Sequence, residues 1–135
     1  MLLAGLVSIA LVGVLFLFSG QSPRTVAADF LSALAKGDVA KLTELSSVNG
    51  KPKDEIRKEW EECIKYGRTY LFGWDITGFQ QNKDGTAIVR IDVTENPGSP
   101  MSYPAHKELQ MVKVDGSWKV DVPQISRDAF PYLPQ

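Results

Sequence analysis

The stretch that decides the fold runs from Thr69 to Val122 and reads TYLFGWDITGFQQNKDGTAIVRIDVTENPGSPMSYPAHKELQMVKVDGSWKVDV. Apolar side chains recur at every second position near its centre, at Ala87, Val89, Ile91 and Val93. Arg90 and Asp92 lie between them, and only Ile88 departs from the alternation. A period of two predicts a β-strand with one face on a core and the other toward water.

Turn signals divide the rest of this stretch into further strands. Asn82-Lys83-Asp84-Gly85 precedes the alternating segment, and Asp115-Gly116 separates two apolar runs, so each predicts a hairpin loop. The proline-containing segment 95–100 cannot pair in a sheet, and we expect the third strand to begin after Pro104. Gly73 and Gly78 interrupt the first, aromatic strand and indicate a bend. We therefore predict a curved, four-stranded antiparallel sheet.

Three helices are predicted before the sheet. Ser22-Pro23 is a typical helix start and Gly37 a typical stop. Asp38 is positioned to cap a short helix from Val39 to Leu45, and Ser46 to Lys51 is predicted to be a loop. A third helix runs from Pro52 to about Tyr66, with an apolar stripe on one face. Helices followed by strands predict an α+β domain.

The segment from Met1 to Phe18 is apolar except for Ser8 and carries no charge. As a helix it would be about 27 Å long, close to the hydrocarbon thickness of a bilayer. We expect a retained single-pass anchor over residues 1–20. The alternative is a cleaved signal peptide, which the large side chains of Leu17 and Phe18 near its end disfavour.

The sequence does not determine on which side of the membrane the soluble domain lies. We expect an extracytoplasmic domain, but no Lys or Arg precedes the apolar segment, whereas Arg24 and Lys36 follow it. Taken literally, the positive-inside rule would place the domain in the cytoplasm. The chain is thus divided into the anchor, an α+β domain over residues 21–122, and a tail over residues 123–135 that we expect to dock on the body or on a partner.

Composition excludes several classes of function. The 15 basic and 16 acidic residues give a net charge of −1, which disfavours nucleic-acid binding. One cysteine, Cys63, cannot form an internal disulfide, and one histidine with one cysteine cannot build a zinc site. We therefore expect no cofactor and no metal.

Two segments carry a resemblance to a known family. SPRTVAADFLSALAKGDVAKLTELSS, residues 22–47, is similar to the opening of the nuclear-transport-factor-2-like superfamily, with its Lys-Gly-Asp step between two helices. ELQMVKVDGSWKVD, residues 108–121, is similar to the closing hairpin of that superfamily. Within it, the chain most resembles membrane-anchored bacterial lumazine-binding-like domains of unknown function. The resemblance implies a cone-shaped fold in which a curved sheet wraps around helices and encloses a pocket.

The resemblance does not extend to the superfamily's enzymes. Ketosteroid isomerases place Asp and Tyr groups inside the cone, and no such set matches here. Asp75 and Asp92 alternate with apolar neighbours and are predicted to face solvent, and Asp29 to lie on a solvated helix face. We find no Asp–His pairing in the sequence, and we interpret His106 as an ordinary residue at the edge of a strand.

The aromatic residues are the candidate ligand site. The set that could line a pocket comprises Trp60, Tyr66, Tyr70, Phe72, Trp74 and Trp118. The competing interpretation is that these side chains simply fill the core. We predict a non-catalytic, membrane-anchored domain for protein interaction or assembly, such as an accessory subunit of a membrane complex. A small-molecule-binding module is the alternative, and an isomerase or dehydratase is the third hypothesis.

Overall fold

The computed structural model describes residues 21–67 and 71–135, and these form an α+β domain. Three helices, α1 (Pro23–Lys36), α2 (Val39–Leu45) and α3 (Lys53–Tyr66), pack on one five-stranded sheet. The strands are β1 (Ser46–Ser47), β2 (Phe72–Gln81), β3 (Ala87–Glu95), β4 (Ala105–Val114) and β5 (Ser117–Asp121). A 3₁₀ turn (Val122–Gln124) leads into the tail.

The helix boundaries confirm the predicted local signals. The Ser22 side chain accepts a hydrogen bond from the Thr25 amide at the start of α1, and the Asp38 side chain accepts one from the Lys41 amide at the start of α2. Gly37 ends α1 in the left-handed conformation with φ 70°. A methyl group at Gly37 would also lie 3.2 Å from Cγ2 of Ile64, so both the conformation and the close approach of α3 favour glycine there.

The sheet corrects one part of the prediction. Strands β2 to β5 form the predicted antiparallel meander, but the sheet has five strands in the order β1-β5-β4-β3-β2 and is mixed, not four-stranded and antiparallel. Ser46 and Ser47, predicted to be in a loop, pair in parallel with Val120 and Asp121. Two residues are too short to show a period of two, so the sequence carries no signal for this strand.

The core lies between the helices and the inner face of the sheet. On β3 the alternating residues Ala87, Val89, Ile91 and Val93 are all buried, as predicted. The register between β2 and β3 shifts between Ile76 and Gly78, which is the bend indicated by the glycines. From α1, Phe30 and Leu31 are fully buried beneath the sheet.

The tail packs on the body of the domain. Ile125, Ala129, Phe130 and Leu133 are buried. Arg127 holds the end of the tail in a loop, because its guanidinium donates hydrogen bonds to the carbonyl oxygens of Leu133 (2.8 Å) and Pro134 (3.3 Å).

Within residues 21–67 and 71–135, no helix combines the length and the apolar character that crossing a bilayer requires. The predicted anchor, residues 1–20, lies outside the described residues.

Candidate functional site

Trp60 of α3, the first of the predicted pocket residues, is fully buried. Its ring meets that of Phe30 edge-on, with centroids 5.9 Å apart. Its Nε1 donates a hydrogen bond of 2.9 Å to Oγ of Ser46, and that hydroxyl donates one of 2.5 Å to the Leu42 carbonyl oxygen. Trp60 therefore joins α3 to α1, to the end of α2 and to β1, and its one polar group, the Nε1–H, is paired inside the core.

The other predicted aromatic residues do not converge on one cavity. Trp118 is buried on β5 with the ammonium of Lys113 5.2 Å from its ring centroid, whereas Trp74 is half-buried on β2. Strands β5 and β2 are three strand spacings apart, or about 14 Å. Tyr66 is 62% exposed at the end of α3. Tyr70 lies outside the described residues.

Phe72, the remaining aromatic, contacts the tail. Its ring packs edge-on against Phe130 with centroids 5.0 Å apart. Beside this pair, the cavity between α1, α3, β2 and the tail has a volume of only about 30 Å³. Its walls are Leu34, Cys63, Ile64, Gly67, Phe72, Phe130, Pro131 and Tyr132. This volume is far smaller than the several hundred Å³ of a typical small-molecule site.

Cys63 is a half-buried thiol in the wall of this cavity. Burial raises the pKa of the Cys63 thiol, Glu59 and Glu62 raise it further, and only Arg127 opposes them. A raised pKa keeps the sulfur protonated at neutral pH and therefore weakly nucleophilic. Cys63 thus behaves as a core residue.

The larger spaces are open clefts at the surface. One cleft of about 420 Å³ lies between the β3–β4 loop and the tail, and is lined by Val93, Glu95, Asn96, Ser99, Met101, Ser102, Tyr103, Ala105, Lys107, Asp128 and Ala129. None of the predicted pocket aromatics within the described residues lines it. Lysine, carboxylate, hydroxyl and apolar groups share its walls, so its chemistry is mixed.

The structure reveals an Asp–His pair that the sequence analysis missed. Asp92 on β3 and His106 on β4 are opposite each other in the register, with Oδ1 of Asp92 2.5 Å from Nδ1 of His106. The pair lies on the outer face of the sheet, where the His106 side chain is 86% exposed. His106 is therefore not at a sheet edge but on an inner strand. The only signal that could have shown this is the β3–β4 register, because the residues are 14 positions apart.

Asp75 continues this row, since it pairs with Asp92 from the other side. Asp75 is exposed, as predicted, and Asp92 is partly covered. Within the described ranges, no group of three or more His, Cys, Asp or Glu residues is arranged to hold a metal ion. Asp92 contacts Nδ1 of His106, and the exposed His106 side chain lines an open cleft of about 460 Å³ together with Arg90 and Glu108.

Comparison with known proteins finds similarity of structure but not of sequence. No protein-family model matches the chain, and no curated protein matches it. Among solved structures, a SEC-C-motif-containing protein from Rhodopseudomonas palustris is 17% identical with a TM-score of 0.54, over 74% of this chain and 75% of that one. At this identity the similarity shows a shared fold alone.

Two further solved structures are similar to this chain at lower TM-scores. A ketosteroid-isomerase-like protein from Erwinia carotovora atroseptica is 21% identical with a TM-score of 0.47, over 71% of this chain and 85% of that one. An NTF-2-like protein of unknown function from Shewanella oneidensis is 14% identical with a TM-score of 0.49, over 71% and 88%. The structural neighbours thus include NTF2-like and ketosteroid-isomerase-like proteins.

Proposed function

We propose that this chain is a non-catalytic member of the nuclear-transport-factor-2-like superfamily, related to its membrane-anchored, lumazine-binding-like domains. Residues 1–20 anchor it in a membrane, and the α+β domain mediates protein interaction or assembly there as an accessory subunit of a larger complex. The soluble domain lies on the extracytoplasmic side.

The observation that carries this proposal is the filled interior. Trp60 and Phe30 pack against each other, Phe130 of the tail packs on Phe72, and about 30 Å³ remains beside them. A small-molecule site normally encloses several hundred Å³. Because the interior has no room for a substrate, contacts of this domain are expected at its outer surface.

The side chains that could perform chemistry support the same proposal. The thiol of Cys63 is half-buried with a raised pKa. The Asp92–His106 pair lies on the outer face of the sheet, with the His106 side chain 86% exposed at an open cleft. General acid–base catalysis needs a substrate held within hydrogen-bond reach, which an open sheet face does not ensure.

The test is the state of the full chain extracted from its own membrane in a mild detergent. We expect it to migrate with other proteins in a complex of constant composition after two different purification steps. A chain that is found alone and monomeric in every mild detergent would refute the accessory-subunit role. Protease digestion of sealed vesicles from the same cells would determine the side of the membrane.

A second candidate function is the binding of a small molecule in the 420 Å³ cleft. The observation in its favour is the mixture of Lys107, Asp128 and Tyr103 around one open space. Replacing Lys107 by Ala would then abolish binding of the ligand but leave the protein complex intact. The opposite result, loss of the complex with no ligand found by mass spectrometry, supports the interaction role.

A further inference from the structure

A cleft of about 430 Å³ lies between the end of α2, the start of α3 and the hairpin that joins β4 to β5. Three lysine side chains line it, those of Lys51, Lys53 and Lys119, and we call this space the lysine cleft. Glu44 and Asp115 are the acidic residues on its walls. It shares no wall residue with the small cavity that the tail closes, so it is a separate place on the molecule.

Only one of the three lysines is paired with a carboxylate. The ammonium of Lys51 lies 2.9 Å from Oε1 of Glu59. The ammonium of Lys119 donates its hydrogen bond to the uncharged backbone carbonyl of Glu44 instead. Among the ion pairs formed by residues 21–67 and 71–135, none includes Lys53 or Lys119. Two positive charges on the walls of one cleft are therefore without a direct counter-charge.

The acidic residues of the cleft do not compensate these two charges. The carboxylate of Glu44 lies 4.0 Å from the ammonium of Lys41, which is not on the cleft wall. Burial lowers the pKa of the Lys119 ammonium most, and the positive charge of Lys53 lowers it further. Glu44 and Asp115 oppose this lowering without cancelling it. Lys53 and Lys119 are therefore close enough to repel each other, and an anion between them would remove the repulsion.

The lysine cleft also contains neutral hydrogen-bond donors. The hydroxyls of Ser47 on β1 and Ser117 on β5 line it. Helix α3 begins at the same cleft, and its N-cap, Pro52, gives no side-chain hydrogen bond to the first amides. The acidic residues of that first turn, Asp54 and Glu55, are exposed and are not on the cleft wall. Hydroxyls and first-turn amides beside ammonium groups are donors that suit the oxygens of an oxyanion.

Charge and size select the class of anion. The two ammonium groups without a carboxylate match an anion that carries two charges. A phosphate monoester carries a charge of about −1.5 to −2 at pH 7 and presents three acceptor oxygens, and lysine is a common ligand of phosphate. A carboxylate or a phosphodiester carries a single charge. The volume of about 430 Å³ lies within the range of about 300–1,000 Å³ for small-molecule sites, so the cleft has room for an organic group beside the phosphate.

We infer that the lysine cleft binds the phosphate group of a small phosphate monoester. Lys53 and Lys119 provide the charge that balances the phosphate, and the hydroxyls of Ser47 and Ser117 donate hydrogen bonds to its oxygens. Lys51 holds the loop before α3 in place through its contact with Glu59. This site does not depend on the proposed interaction function, because it uses neither the filled interior nor a protein partner.

The experiment titrates the full chain, in a neutral detergent, with glycerol 3-phosphate and separately with glycerophosphoglycerol, a soluble phosphodiester. The amide resonances of Gly50 and Lys53 report binding, because both residues line the cleft. We expect saturable shifts with the monoester and at least tenfold weaker binding of the diester.

Three variants test which lysines hold the phosphate. Lys53→Ala and Lys119→Ala should each weaken binding of glycerol 3-phosphate at least tenfold. The matched control is Lys58→Ala, which removes an exposed lysine of the same helix that is not on the cleft wall, and it should leave binding unchanged. Because Lys53 is exposed, its replacement should also leave thermal unfolding unchanged, so a loss of binding in that variant is not a loss of folding.

Each other outcome contradicts the inference at a defined point. Equal affinity for the two esters would overturn the choice of a monoester. An equal loss of binding in the Lys58 and Lys53 variants would show general attraction to a positive surface and would overturn the location. Shifts of Gly50 and Lys53 when the chain moves from phosphatidylcholine to phosphatidylglycerol nanodiscs, with no ester added, would show that a lipid headgroup is the source of the phosphate. No saturable shift with either ester would refute the site.

Discussion

Replacing Phe130 by Ala is expected to lower the free energy of unfolding by about 3–5 kcal/mol, the range for removing a buried phenylalanine from a core. Phe130 is 2% exposed, and its ring contacts that of Phe72 at 5.0 Å. The aromatic pair adds about 0.5–1.5 kcal/mol beyond the area that is buried. The change would also enlarge the existing cavity of about 30 Å³ by most of a phenyl ring.

The measurement is guanidinium chloride unfolding of the full chain in a mild detergent, followed by tryptophan fluorescence. Trp60 is a suitable reporter because it is fully buried in the folded domain. The matched control is Tyr132→Ala in the same tail. Tyr132 is 49% exposed, so its loss is expected to cost well below the Phe130 value.

Local opening of the tail limits how far Phe130→Ala can lower the free energy of unfolding. If the tail detaches more easily than the domain unfolds, the effect on global stability stops at the free energy that docks the tail. Hydrogen exchange at the Phe130 amide, which donates to the Ser126 carbonyl oxygen at 3.4 Å, measures that free energy directly. A loss below 1 kcal/mol together with fast exchange at this amide would refute the filled interior on which the proposed function depends.

Three further predictions concern the core, the pH response and the outer face. Trp60→Phe and Ser46→Ala each remove one partner of the buried 2.9 Å hydrogen bond and should each cost about 1–3 kcal/mol, with the double variant costing less than their sum in denaturant unfolding. Burial raises the pKa of Asp121, so its charge opposes folding above that pKa. Asp121→Asn should therefore stabilise the domain at pH 7, and this gain should vanish as the pH falls below the ordinary aspartate pKa; an equal gain at every pH would contradict the reasoning. Asp75→Asn removes one of two carboxylates that face each other across β2 and β3. It should raise the free energy of unfolding by about 0.2–1 kcal/mol in low salt and by less in high salt. Asp75→Glu keeps both carboxylates and should give no such gain.

The sequence predicts most of the elements because their signals are local. Ser22, Gly37 and Asp38 act within three or four residues of their own positions, and the structure places each at the helix end where we predict it. The hairpin signals act in the same way. Asp115 adopts φ 52° and Gly116 φ 79°, the conformation that a tight turn between β4 and β5 needs.

The features that the sequence does not predict all depend on distant parts of the chain. Ser46 becomes a strand residue because Val120, 74 positions later, offers it a partner. Asp92 and His106 meet because the β3–β4 loop has the length that brings them into register. No sequence pattern near these residues predicts either contact.

The aromatic set shows why composition alone does not distinguish a pocket from a core. The same alternation that would aim Phe72 and Trp74 into a ligand cavity also aims them at any segment that fills it. The tail is that segment here, since Phe130 and Leu133 are buried against the body. In this chain, the residues that follow the last strand therefore determine how much space remains in the interior.

The docked tail therefore has two effects on the structure of the domain. Burying Phe130 closes the interior, and the same stretch of chain brings Tyr132 against Gly67 at the end of α3. A variant whose tail is released should therefore loosen the end of α3 as well as lose stability. Phe130→Ala tests this coupling through the Gly67 amide, which donates a hydrogen bond of 2.9 Å to the Cys63 carbonyl oxygen. Faster hydrogen exchange at that amide in the variant would show that the docked tail holds the end of α3, and unchanged exchange would contradict the coupling.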